Sequence, residues 1–342
     1  MLDPDTFWQD NEFRIDPWGE DFELPISIGE LETDSTQLVH PDVEGLNGQP
    51  RQPEQLPPLP EQLIFIDGRR RLDRRLIGRN NGSMLYGAFA TIGVGAVQIN
   101  LNSEQNATYR DILIRRVLSF SGKIAGIPQY QVAVPDTLGS APLIYAFNHQ
   151  LVTEKEDPQS AQTKVLQLMR EEEMRLAREL AVLPNNLIFL DGNLFSRLEQ
   201  AIGYVKTMRR QYLSRDWLWH LQSGQRTGIF SIGRGENELW SWYIRSGTQN
   251  LNLSRMGYHG LHGIVRLEMY VAGTPLDTVR RIADLTTILI PQYASHPTRD
   301  PRAPQNLIPV GALEKELGRY MGNRNIIARR IQNFLAAGGM VV

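Results

Sequence analysis

A short apolar sequence that ends in Asp-Gly occurs twice in this chain, as LIFIDG at residues 63–68 and as LIFLDG at residues 187–192. Four consecutive apolar residues closed by a turn-forming pair are typical of a strand that is buried on both faces of a sheet. Such strands carry functional side chains where they end, and Asp67 and Asp191 both stand at that position, each followed by a glycine that is expected to turn the chain away. Two nearby carboxylates repel one another unless they share a proton or bind a divalent cation. The repeat therefore predicts two neighbouring strands that bring a carboxylate pair to one site, and an ordinary Asp-Gly turn is the alternative.

The order of the periodic segments predicts an α/β domain at residues 61–342, preceded by an extended, acidic and proline-rich arm at residues 1–60. Trp8 and Trp18 lie in this arm, and exposed aromatic side chains there are expected to dock on the domain itself or on a partner. The domain is predicted to contain, in order, a group of strands, a helix at 160–183, the second LIFLDG strand, a helix at 195–213, strands at 226–233, 239–245 and 263–271, and closing helices at 274–290, 309–321 and 325–337.

Composition limits the possible chemistry. The 342 residues are 41% apolar and 22% charged, which is typical of a globular protein, and the net charge of -2 gives no overall indication of nucleic-acid binding. The absence of cysteine excludes disulfides, thiolate ligands and cysteine nucleophiles, so only oxygen and imidazole ligands remain for a metal. No run of 18 apolar residues occurs and the first residues are acidic. These features predict a cytoplasmic protein without a membrane span or a signal peptide.

A third carboxylate is predicted on the helix that precedes Asp191. On a helical wheel, Glu172 falls close to the apolar stripe of this helix, and Glu173 lies on the other flank of the stripe. Burying an unpaired carboxylate is costly, so Glu172 is expected to face a site, unless it lies at the edge of the stripe and reaches solvent. An order of strand Asp67, helix Glu172 or Glu173, and strand Asp191 suits Mg²⁺ or Mn²⁺ ions that activate water and neutralise a phosphodiester. RNase H-like nucleases have this arrangement.

These segments together resemble the NurA family of nucleases, in the form found in bacterial members. The matching pieces are IFIDGRRRLDRR, LMREEEMRLAREL, LIFLDGNL, GYVK at 203–206, WYIR at 242–245 and VRLE at 265–268. The resemblance implies an RNase H-like mixed sheet flanked by helices, and a Mn²⁺- or Mg²⁺-dependent DNA nuclease with exonuclease and single-strand endonuclease activity. It also implies a homodimer that works with the hexameric HerA translocase in DNA-end resection and repair, with Asp67, Glu172 and Asp191 as metal ligands.

One block departs from the family pattern. Many archaeal members have a histidine on a late helix, and the corresponding segment here, APQNLIPVGALEKELGRYMG, has none and resembles that of bacterial members. Glu314 on this helix, or His296 or Asp300 in the preceding loop, is a candidate to replace it.

Basic residues near the two aspartates are candidates for DNA contacts. Six arginines fall between residues 69 and 79, in a predicted hairpin that either binds phosphates or is a solvated surface. Lys206 is expected to reach the scissile phosphate or to lie on a helix surface. The candidates for DNA binding are Arg69, Arg70, Arg71, Arg74, Arg75, Arg209 and Arg210.

Two other classes of function compete with the nuclease. An actin-like phosphotransferase also uses aspartates at the ends of two strands, but it needs a small, hydroxyl-rich hairpin where this chain has GRRRLDRR. A catalytically weak or inactive adaptor that docks a DNA translocase is the other alternative. The chain has no GxxxxGK[ST] phosphate loop, so a partner would have to supply any ATP-driven step.

Overall fold

The computed structural model describes residues 7–17, 38–53, 55, 57–102, 107–124, 132–134, 145–147, 149–153, 156–183, 185–198, 200–207, 210–247, 258–300 and 302–338. The helices are α1 (Phe7–Asp10), α2 (Pro158–Leu180), α3 (Arg215–Trp219), α4 (Leu276–Tyr293), α5 (Ile308–Tyr320) and α6 (Arg324–Ala336). The strands are β1 (Arg14–Ile15), β2 (Val39–His40), β3 (Gln62–Asn80), β4 (Ser83–Asn100), β5 (Ala107–Ser121), β6 (Val132–Val134), β7 (Tyr145–Phe147), β8 (His149–Thr153), β9 (Asn186–Asp191), β10 (Ala201–Val205), β11 (Phe230–Ile232), β12 (Leu239–Arg245) and β13 (Ile264–Tyr270).

One mixed sheet organises the chain, in the order β2-β11-β12-β13-β10-β9-β3-β4-β5-β8, with β1 paired to β3 at the side. Strands β3, β4 and β5 are antiparallel neighbours, whereas β9 runs parallel to both β3 and β10. The two LIF segments pair in register, so that Phe65 lies opposite Phe189 and Ile66 lies opposite Leu190. The prediction that the repeated strands are neighbours in one sheet is confirmed, and with it the mixed α/β class.

Helices cover both faces of the sheet centre, and the alternation of side chains along β3 explains how. Leu63 and Phe65 point into a core shared with α4 and α5, whereas Ile64 and Ile66 point into a core shared with α2. Helix α2 begins where Asp157 accepts a hydrogen bond from the Gln159 amide (3.2 Å), and it confirms the helix predicted at 160–183. None of the helices in the described ranges combines the length and apolarity that a membrane crossing requires.

Strand β3 does not end at the first Asp-Gly pair. It continues to Asn80, and only a bulge between Leu72 and Arg74 interrupts its pairing with β4. The turn expected at Gly68 is therefore wrong, whereas the chain does leave the sheet after Asp191, at Gly192 with φ of 100°. As a result, Asp67 lies in the middle of a long strand, at the level where its neighbour β9 stops.

The helix predicted at 195–213 is also wrong, because the segment AIGYV forms strand β10. A five-residue apolar run fits a helix and a buried strand equally well by periodicity, so its pairing partners decide. Strand β10 lies between β9 and β13 and is buried along its whole length. Lys206 consequently follows a strand end, beside Asp191, rather than a helix turn.

The described parts of residues 1–60 pack onto the rest of the chain rather than extending from it. Trp8 and Phe13 are buried in an aromatic cluster with Phe89, Phe120 and Phe334, and the Trp8 and Phe89 rings stack at 5.8 Å. The docking predicted for Trp8 is thus onto its own chain, while Trp18 lies outside the described residues.

A second part of the N-terminal region, residues 38–53, is held by a buried ion network. Arg226 is fully buried and donates to Glu44 (2.6 Å) and to Asp284 (2.6 Å). Arg51 and Arg280 complete the network at 3.3 Å from Asp284 and Glu44 respectively. The charged groups of this part are therefore matched by Arg226 and by Asp284 and Arg280 of α4.

Candidate metal centre

Three carboxylates from three elements converge where β9 ends beside β3. Asp67, Asp191 and Glu314 each place an oxygen within 4.8 Å of the others. They line a cavity of about 540 Å³ together with Glu173, Lys206 and other residues of the surrounding loops. The in-register pairing of β3 with β9 places the two aspartates side by side, and α5 brings Glu314 from the face of the sheet to which Phe65 also points.

Glu173 reaches the same cavity from the opposite face of the sheet, and Gly68 makes this possible. A Cβ atom at residue 68 would lie 2.3 Å from Glu173 Oε1 and 2.8 Å from Met169 Cγ, so any side chain there would displace both groups. The backbone amide of Gly68 also donates a hydrogen bond to the Glu173 carboxylate. Gly68 was expected to be a turn residue. In the structure its missing side chain leaves the space beside β3 that the Glu173 carboxylate of α2 occupies.

The electrostatics of the cluster disfavour ionisation of its most buried members. Burial and the negative charges of Asp191, Glu173 and Glu314 raise the pKa of Asp67 well above its usual value, although Lys206 opposes this. Burial, together with Asp191, raises the pKa of Glu173 to about 8, against the opposing charge of Arg170. The cluster therefore holds protons near neutral pH unless another positive charge is present.

Lys206 supplies one positive charge and is itself held in place. Its ammonium lies 2.7 Å from Asp191 Oδ2 and donates to Asn306 Oδ1 at 3.3 Å. The amide of Asn306 donates in turn to Asp300 Oδ2 at 2.6 Å. Asp300 thus supports the site through Asn306 and Lys206, and it is not among the three carboxylates that converge.

Glu172, predicted as a ligand, is not brought to this cavity. Its carboxylate accepts from Arg115 at 2.6 Å and from Arg175 at 2.8 Å, and these hydrogen bonds hold its pKa below the usual value although burial opposes them. The helix turns by about 100° per residue, so neighbouring glutamates on α2 point to different surroundings. The structure therefore places Glu173, which was the alternative candidate, at the cavity where Glu172 was expected.

The arginines after Asp67 lie along one strand and mostly have partners within the chain. Arg71 donates to Asp73 and to the carbonyls of Met321 and Gly322, and Arg69 donates to the Glu314 carbonyl. Arg75 donates from both Nε and Nη2 to the side-chain carbonyl oxygen of Gln162, when the Gln162 amide is oriented with that oxygen toward Arg75. Arg70, Arg74 and Arg75 are half-buried, and of the five predicted DNA contacts in this strand only Arg69 is exposed.

The remaining predicted residues fall away from the cavity or outside the described ranges. His296 is exposed and contacts Thr298 Oγ1 at 2.9 Å, and Arg210 is exposed in the loop that follows β10. Arg209 lies outside the described residues. The helix predicted at 195–213, on which both arginines would lie, is not formed by the described part of this segment, where β10 and a loop take its place.

Sequence reasoning missed His262, which lines the cavity. Its Nε2 faces the Ala303 carbonyl at 2.6 Å, and its ring stacks on Tyr258 at 4.3 Å. The only signal was the position of this histidine just before a predicted strand, which is too common to single it out.

The cluster fits a divalent cation on its own chemistry. Asp67 Oδ2 and Asp191 Oδ1 are buried, and no donor among the described residues reaches either oxygen. Buried carboxylate oxygens without partners are costly, and three converging carboxylates are the hard oxygen donors that Mg²⁺ and Mn²⁺ prefer. A cation held by Asp67, Asp191 and Glu314 would satisfy these atoms.

Comparison with solved structures finds a crystal structure of the NurA nuclease from Sulfolobus solfataricus. That chain is 11% identical in sequence and superposes with a TM-score of 0.40, over 85% of this chain and 89% of the other. No protein-family model and no curated protein matches the sequence. What this chain does is therefore inferred from its carboxylate cluster.

Proposed function

We propose that the protein is a divalent-metal-dependent DNA nuclease, a phosphodiester hydrolase with an RNase H-like core. The observation that carries the proposal is the convergence of Asp67, Asp191 and Glu314 within 4.8 Å, with two buried oxygens that have no donor among the described residues. A cluster built at this electrostatic cost is typical of a functional site rather than of a structural one.

The residues of the cavity have separable roles in this proposal. Asp67, Asp191 and Glu314 would hold Mg²⁺ or Mn²⁺, which activates water and neutralises charge on a phosphodiester. Glu173 lies against the same cluster and shares its protons, so that it accepts or releases one as the local charge changes. Lys206 presents a positive charge for the phosphate, held at the cavity wall by Asn306.

The wider biological setting rests on the sequence resemblance alone. The order IFIDGRRRLDRR, acidic helix, LIFLDGNL and GYVK is that of NurA-like nucleases. On this basis we propose exonuclease and single-strand endonuclease action in DNA-end resection and repair, as a homodimer with a HerA-type hexameric translocase. A cytoplasmic location belongs to the same proposal.

The test is cleavage of end-labelled single-stranded and double-stranded DNA with Mn²⁺ or Mg²⁺. Asp67→Asn and Asp191→Asn should abolish cleavage by the folded protein, and Glu314→Gln should weaken it strongly. The matched control is Glu172→Gln, which should retain activity because Glu172 binds two arginines outside the cavity.

Three other outcomes would contradict the proposal. Cleavage that survives both aspartate substitutions would assign the activity to another site. A folded wild type that never cleaves, with or without a translocase, would indicate the adaptor function. Phosphate release from ATP without DNA cleavage would indicate the phosphotransferase.

A further inference from the structure

Two of the arginines that follow Asp67, Arg69 and Arg71, contact helix α5, the helix that carries Glu314. Arg71 donates from Nη1 to the Gly322 carbonyl at 2.7 Å and from Nη2 to the Met321 carbonyl at 3.0 Å. Arg116 on β5 donates to the same Met321 carbonyl at 2.8 Å. Two cations therefore hold the carbonyl end of α5, where the helix dipole places negative partial charge.

Further contacts fix the height and the rotation of α5 on the sheet. Arg69 donates to the Glu314 carbonyl at 2.9 Å, and its guanidinium crosses the helix at Gly318, where a Cβ would lie 2.5 Å from Arg69 Nη1. On the buried side, Leu317 packs over Gly93 of β4, where an added Cβ would lie 3.5 Å from its side chain. The helix is thus seated closely on the sheet and is held along its length.

The arginine that holds the end of α5 is itself fixed by a buried acid. Asp73 is 1% exposed, sits at the bulge of β3, and accepts from Arg71 Nε at 2.8 Å and from Thr91 Oγ1 at 2.5 Å. Arg116 also donates to Thr91. A bulge commonly changes the direction in which side chains point. This bulge places the Asp73 carboxylate against the Arg71 guanidinium, on its Nε side.

We propose that Arg71 and Arg116, with Arg69, are positioning residues that set Glu314 into the metal site through α5, and that they are not primarily phosphate contacts. The inference rests on the proposed function and adds to it. It gives Arg69 and Arg71 a role beside the proposed metal-binding aspartate: the strand that supplies one ligand also places the helix that supplies another. Loss of a residue that orients a metal ligand without touching the metal typically changes metal affinity by about 10- to 100-fold.

The experiment is a calorimetric titration of Mn²⁺ into the full chain without DNA. The double variant Arg71→Lys and Arg116→Lys keeps both charges but removes the fork that bonds two carbonyls. Its Mn²⁺ affinity should fall about 10-fold or more. Gly318→Ala, which displaces Arg69 from the helix, should also weaken Mn²⁺ binding. The matched control is Arg79→Ala, an exposed arginine of the same strand that lies outside these contacts, and its Mn²⁺ affinity should equal that of the wild type.

A coupling measurement separates positioning from a general loss of stability. In a Glu314→Gln background the double lysine variant should cause little further loss of Mn²⁺ affinity, because the group that it positions is already altered. Equal losses with and without Glu314 would overturn the proposal. If the double variant does not fold, Gly318→Ala in the two backgrounds decides the question in the same way.

DNA affinity in the absence of metal provides the opposite test. If these arginines act through phosphates, Arg71→Ala should reduce the salt dependence of DNA binding while Mn²⁺ affinity stays at the wild-type value, and this result would overturn the positioning role. If Asp67→Asn binds Mn²⁺ as tightly as the wild type, or the wild type binds none, the proposed function fails and the positioning role fails with it. If the wild type binds Mn²⁺ through Asp67 but the arginine and glycine variants bind equally well, only the positioning role fails.

Discussion

Two adjacent glutamates of α2 should respond to pH with opposite signs, and this difference tests the site without requiring catalysis. In the folded chain, burial and Asp191 raise the pKa of Glu173 from 4.5 to about 8. The folded state therefore holds this proton more tightly than the unfolded chain, so wild-type stability should fall as pH rises from about 4.5 to about 8. Each pKa unit corresponds to about 1.4 kcal/mol, which gives a loss of roughly 3 to 5 kcal/mol from Glu173 alone.

Replacing Glu173 by glutamine removes the ionisable proton and with it this loss. At pH 8, in EDTA, Glu173→Gln should be more stable than the wild type by roughly 3 to 5 kcal/mol, and at pH 4.5 the difference should disappear. With an unfolding entropy of about 2.1 cal/mol/K per residue, the gain corresponds to a Tm increase of roughly 4 to 7 °C. Urea denaturation curves from pH 4.5 to 8.5 measure the effect directly.

The control is Glu172→Gln on the preceding residue of the same helix. Hydrogen bonds from Arg175 and Arg115 hold the pKa of Glu172 below its usual value against the effect of burial. Its contribution is present above the unfolded pKa and is lost as pH falls, so this variant should be less stable than the wild type at pH 7. A Glu173→Gln protein that is no more stable than the wild type at pH 8 would refute the electrostatic account of the cavity.

Three further predictions concern the metal and the N-terminal region. Mn²⁺ should raise the Tm of the wild type by binding the folded state, and Asp191→Asn should lose this shift in thermal scans; an unchanged shift would place the ion elsewhere. Trp8→Ala should lower the free energy of unfolding by about 3 to 5 kcal/mol in urea titrations, because a fully buried ring leaves a cavity, and a loss below 1 kcal/mol would show that the ring is not buried. Glu44→Ala should cost about 3 kcal/mol or more in the same assay by leaving Arg226 with one buried partner fewer, whereas Arg234→Ala, an exposed arginine near the same sheet edge, should have little effect.

The central strands of the fold could be predicted because their signal is local. Two apolar runs that end in Asp-Gly sufficed to place β3 beside β9 and Asp67 beside Asp191. Helix α2 and strands β12 and β13 follow equally from periodicity and length. Strand β10 did not, since five apolar residues carry no periodicity that separates a strand from a helix, and its identity depends on pairing with β9 and with the distant strand β13.

The choice between Glu172 and Glu173 could not be made from the helix alone. Both flank the apolar stripe, and both are buried in the fold, at 7% and 4% exposure. Their surroundings differ. Glu172 forms ion pairs with arginines of β5 and α2, whereas Glu173 lies in the space beside a glycine of β3. Helical periodicity gives the direction of a side chain, whereas its chemistry is set by contacts that only the tertiary structure supplies.

The arginine run shows how one misplaced turn changes a functional interpretation. If the chain turned at Gly68, the following arginines would form a surface hairpin beside the cavity, and DNA phosphate would be their natural partner. Because β3 continues instead, its alternation points Arg69 and Arg71 to the face on which Asp67 and α5 lie. Helix carbonyls then take the place of phosphates as acceptors. Arg69 and Arg71, two of the residues that suggested a DNA surface, thereby become part of the support proposed for Glu314.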